Sequence, residues 1–146
     1  MNGIVLDFAP GYTPNMKLRV RGNSLRFRLT QKEVDRLIAE GTVGECVRFS
    51  PSDTDRLRYT LEASETALTV SAKFGRGEVL VTVPAWRAAE WAKTDAVGIT
   101  STQAIGDGAD LHIAVEKDFR CLQPRTDEDE SDNFPNSEQS PHCAPS

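Results

Sequence analysis

Residues 17–30, KLRVRGNSLRFRLT, constrain the fold more tightly than any other part of the chain. Leu18 and Val20 stand at even positions, whereas Leu25, Phe27 and Leu29 stand at odd ones. Side chains alternate between the faces of a strand, so one continuous strand would put these apolar groups on both sides. A two-residue turn at Gly22-Asn23 resolves the conflict, because both residue types tolerate the positive φ that tight hairpin turns need. A bulge at Gly22 within one longer strand is the competing arrangement. The hairpin register sets Val20 opposite Leu25 and Leu18 opposite Phe27 on an apolar face. It sets Arg19 opposite Arg26 and Lys17 opposite Arg28 on the other face. Like charges directly across a ladder repel. This face therefore calls for a compensating anion, or for long side chains that splay into water. Lys17, Arg19, Arg21, Arg26 and Arg28 give the stretch five cations and no acid.

Downstream, Thr30-Gln31-Lys32-Glu33 has the form of a capping box, and Gly41 stands where a left-handed residue ends a helix. Val34, Leu37 and Ile38 form the apolar stripe between them. Val43 to Phe49 reads as a strand whose apolar parity Glu45 interrupts, and 51–55 as a loop. Three alternating runs follow, Leu57-Tyr59-Leu61, Leu68-Val70-Ala72-Phe74 and Val79-Val81-Val83, and are expected to form a meander with one wet face. Pro84 introduces a short helix over 85–93, with Trp86 and Trp91 on different sides of it. Ala96–Thr100 and Leu111-Ile113-Val115 supply the last strands, separated by the Gly106-Asp107-Gly108 loop, with His112 on the polar side. Strand runs with only two helical intervals exclude a regular βαβ alternation. The predicted class is α+β: a largely antiparallel sheet of seven or eight strands with two helices.

Residues 126–146 carry six acids and no Lys or Arg, which leaves the rest of the chain with 16 acids against 17 bases. The net charge of −5 thus belongs to the tail, and general nucleic-acid affinity is disfavoured. The expected organisation is a flexible leader over 1–15, one α+β domain over 16–122, and an acidic, mostly disordered tail over 123–146. No apolar run is long enough to cross a bilayer, and the first residues lack the basic region of a secretory signal. Three cysteines without framework spacing point to reduced thiols and a cytoplasmic protein.

Three stretches carry a resemblance: MKLRVRGNSLRFRLTQKEV from Met16, VTVPAW at Val81–Trp86, and VEKDFRCLQPR followed by EDESDNFPN. Together they resemble a family of small uncharacterised bacterial proteins. The resemblance spans roughly Met16 to Asn136. It implies a start at Met16, with the leader outside the pattern, and makes the acidic stretch part of the protein's pattern. It implies no activity.

Several constellations bear on chemistry. The basic hairpin face could take an anionic group. Asp127, Glu128, Asp129, Glu130 and Asp132 lack the spacing of a calcium loop, and Cys121, His142 and Cys143 lack the paired spacing of a zinc site. Glu116, Lys117, Asp118 and Cys121 could form a small catalytic cluster, but a strand would turn Lys117 away from the two acids. There is no nucleophile elbow and no phosphate-cradling glycine loop. The expectation is a non-enzymatic binding or interaction protein, with no cofactor, no metal and no catalytic residue. Its basic face would meet an acidic protein, a polyanion or its own acidic tail. The alternative is a small-molecule or metal-dependent enzyme using Glu116–Cys121.

Overall fold

The computed structural model describes residues 16–119. The leader over 1–15, and Cys121, the acidic tail and Cys143 beyond, lie outside the described residues. Eight strands and two helices follow the order β1 (Lys17–Val20), β2 (Ser24–Leu29), α1 (Gln31–Glu40), β3 (Thr42–Arg48), β4 (Arg56–Ser64), β5 (Ser71–Gly75), β6 (Glu78–Pro84), α2 (Ala85–Lys93), β7 (Gly98–Gly106) and β8 (Ala109–Lys117). The class is α+β. The strands divide into two four-stranded sheets, ordered β1-β2-β8-β7 and β3-β4-β6-β5. Each is built from two antiparallel hairpins joined by a parallel pair at the centre, β2 with β8 and β4 with β6.

The first hairpin has the register that its apolar parity requires: Val20 pairs with Leu25, Leu18 with Phe27, Arg19 with Arg26 and Lys17 with Arg28. Gly22 takes φ 56° in the turn, which a residue with a Cβ adopts only under strain. The expected meander does not form. β4 pairs with β6 rather than β5, and β5 lies outside them at the sheet edge. β5 is also shorter than the run 68–74 suggests, and Leu68 sits exposed in the connection before it. Alternation specifies which residues face inward but not which strands become neighbours.

Helix α1 begins at the expected box, in which the Thr30 backbone N–H donates to Glu33 Oε1 at 2.9 Å and the Thr30 hydroxyl to the same oxygen at 3.1 Å. It ends at Gly41, whose φ of 86° lets its N–H reach Leu37 O at 2.8 Å. Val34 and Leu37 are buried as expected, but Ile38 is half exposed, so the apolar stripe is narrower than its sequence suggests. In α2, Trp91 is buried and Trp86 exposed.

The chain is built from two similarly connected halves. β1-β2-α1-β3-β4 and β5-β6-α2-β7-β8 share one layout, and each half gives one hairpin to each sheet. Buried residues recur 54 positions apart: Phe27 and Val81, Leu29 and Val83, Val34 and Ala88, Leu37 and Trp91, Leu61 and Val115. All belong to a single core shared by both sheets and both helices. The parallel central pairs bring the four hairpin turns together at the end away from the helices.

Side chains close the seams between the sheets. On one side Gln103 of β7 uses its amide as a ladder partner for β5, accepting from Ala72 N at 2.8 Å and donating to Ala72 O at 3.0 Å. On the other, Glu45 of β3 accepts from the Met16 backbone N–H at 2.9 Å. Unpaired strand edges invite association with other chains, and these contacts occupy part of theirs. Burial pushes the Glu45 carboxyl above its ordinary range; the Met16 N–H opposes the shift and the nearby Glu33 carboxylate adds to it. Burial and then the charge of Glu45 likewise hold the Tyr59 phenol protonated beyond its usual pH.

Candidate functional site

The outward faces of β1, β2, β8 and β7 form three rows. Lys17, Arg28, Glu116 and Gly98 make the first, Arg19, Arg26, Ala114 and Thr100 the second, and Ser24, His112 and Thr102 the third. Four of the five cations singled out by the sequence therefore share one surface, and exposed Arg21 stands beside it at the hairpin turn.

The repulsion built into the hairpin is met from within the sheet. Glu116 on β8 approaches Arg28 Nε at 3.4 Å and Arg26 Nη1 at 3.6 Å, while Asp118 meets Lys17 Nζ at 3.0 Å. The Arg28 side chain is only 12% exposed, so its pairing with Glu116 is far better shielded than an ordinary surface ion pair. Strand parity places Glu116 and Asp118 on this face, as the sequence indicates. Lys117 turns the other way, donating to Thr94 O at 2.7 Å with its ammonium 5.7 Å from the centre of the Trp91 ring. Glu116, Asp118 and exposed Asp110, which shares their parity on β8, stand against four cations and leave the three strands with one net positive charge on this side.

Beside these pairs a groove of about 380 Å³ crosses the sheet, lined by Ser24, Arg26, Thr100, Thr102, His112 and Ala114 among others. Ala114 keeps its floor low, and the Thr102 hydroxyl lies 3.4 Å from His112 Nδ1. A guanidinium flanked by hydroxyls and an imidazole matches the donor demand of a carboxylate, sulfate or phosphate group. Sequence reasoning identified the cations but missed Ser24, Thr100, Thr102 and His112 as their companions. The only signal for Thr100, Thr102 and His112 was the polar parity of the last two strands. Among the described residues no group of three His, Cys, Asp or Glu side chains comes together as a metal site, and no helix is long and apolar enough to cross a membrane.

A two-sheet α+β domain carrying a cationic, hydroxyl-lined groove is the class that these features define. A family model matches residues 16–138, and the chain belongs to that family, a family of unknown function designated DUF7009. No curated protein and no solved structure matches the chain.

Proposed function

We propose that this protein is a non-enzymatic binding module, acting in the cytoplasm, whose outer β1-β2-β8-β7 face receives an anionic group. The groove carries the reading: Arg26 and three hydroxyl side chains border a concave surface on a face where Lys17, Arg19, Arg26 and Arg28 outnumber Glu116, Asp118 and Asp110 by one. Carboxylates on an acidic partner segment fit this chemistry, and Asp127–Asp132 of the same chain compete for it as a tethered ligand. An enzyme built on Glu116–Cys121 finds less support, because Glu116 is shared by two arginines, Asp118 is held by Lys17 and Lys117 faces away.

Truncation after Arg125 tests the reading with heparin as the polyanionic probe. Removing the competing carboxylates raises retention on immobilised heparin at low salt, and the gain shrinks as salt screens the face. Neutralising Arg19 and Arg26 in the truncated chain abolishes the gain. Unchanged retention after truncation would overturn the competition between tail and face.

A further inference from the structure

A second concavity lies between the sheets at the end where the hairpin turns gather. It is a pocket of about 280 Å³ lined by Leu25, Ala72, Phe74, Val79 and Leu111, with Lys73 beside them. Val20, Val47 and Phe74 stand exposed at this end, so the core is open here, whereas the helices cover its other end. Apolar cavities of about 150 Å³ already accept a benzene ring, so this one has room for an aromatic side chain.

We propose that the carboxyl-terminal segment of the chain itself closes this mouth, with Phe134 in the pocket and Asp132 paired with Lys73. Beyond Phe119 the sequence contains one aromatic residue, Phe134, and five acids immediately precede it over 127–132. The described chain ends just past β8 at the helical end, where the Asp118 N–H is bonded to Leu29 O. From there to the mouth is the length of β8, nine residues or roughly 30 Å. The 15 residues from Phe119 to Phe134 reach up to about 50 Å, enough to make the journey with slack. The direct path descends the cationic face, so the acidic run meets Lys17, Arg19, Arg26 and Arg21 before Phe134 arrives. The family pattern runs through residue 138 and so includes the acidic run and Phe134, whereas it excludes the leader, whose Phe8 and Tyr12 are the competing aromatics. The acidic half of this contact rests on the anion-binding reading above; the aromatic half does not.

Methyl NMR on the full-length chain at low salt tests the proposal. Nuclear Overhauser contacts should connect the Phe134 ring to the methyls of Leu25, Val79 and Leu111 within one molecule. Phe134→Ala should abolish them and move the Leu25 and Val79 methyl shifts to the values seen in a Leu111→Asp chain, which spoils the socket independently. Absence of the contacts, contacts from Phe8 or Tyr12 instead, or contacts that isotope filtering assigns to a second copy would each overturn it. Heparin added to the Phe134→Ala chain probes the face separately through the Arg26 and His112 resonances. If those resonances do not respond while the Phe134 contacts persist in the parent, the anion-binding reading fails and the socket stands.

Discussion

Glu33 shows how much of the first helix depends on one carboxylate. It is 1% exposed, and it accepts from both the backbone N–H and the hydroxyl of Thr30. Thr30→Ala removes only the hydroxyl and should cost about 1 kcal/mol in urea denaturation. An unchanged midpoint and slope would show that the hydroxyl contributes nothing. Glu33→Ala strands a backbone donor as well, and should cost more, about 1–3 kcal/mol. Glu45 makes a prediction of a different kind. Its folded-state pKa lies above the ordinary 4.5, so the folded protein holds that proton to higher pH than the unfolded chain does. The stability it contributes is complete below the unfolded value and is lost as pH rises through the folded one. Glu45→Gln retains an acceptor for the Met16 N–H without a charge to desolvate. The variant should therefore be the more stable protein at neutral pH, and the difference should vanish in acid, as read from paired denaturation curves. A variant less stable at neutral pH would mean that the charged hydrogen bond outweighs desolvation.

At the scale of elements, local features were legible in the sequence and strand neighbours were not. The Gly22-Asn23 turn, the β1–β2 register, the Thr30 box and the limits of α2 all follow from residues close together in the chain. Glu116 was legible as facing the same way as Asp118, but not as the counterion of Arg26 and Arg28. That role depends on β8 lying parallel to β2, with Ala114 opposite Arg26 across 88 positions, and alternation is blind to such pairings. For the same reason the groove beside Arg26 could be anticipated only in its cationic half. The seam at Gln103 was equally hidden, because a glutamine on a strand signals nothing until the facing edge is known. Gln103→Glu cannot donate to Ala72 O, and Gln103→Ala leaves both Ala72 groups without this partner. Either change should destabilise by about 1–3 kcal/mol and accelerate hydrogen exchange at the Ala72 amide. Unaltered exchange would show that the seam closes without it.

The molecule as a whole has a two-part plan that its residues scarcely betray. Positions 54 apart share burial but little identity, as Leu37 and Trp91 illustrate, so the repeat is visible in the core and not in the letters. Because each half lends a hairpin to each sheet, peptides 16–70 and 71–119 should each lack stable strand structure alone. Circular dichroism of the separate and mixed peptides checks this, and a stably folded single half would refute it. The exchange of hairpins also sets a timetable for synthesis. β2 is finished long before its central partner β8 is translated. At about 5–20 residues per second, the 88 positions between Arg26 and Ala114 impose a wait of roughly 4–18 s. For that interval a nascent hairpin bearing Leu18, Leu25 and Phe27 has no β8 beside it in its own sheet and no Glu116 to quiet its arginines. Until β8 is made, the ribosome surface or a chaperone, rather than the finished fold, is what can shelter this hairpin.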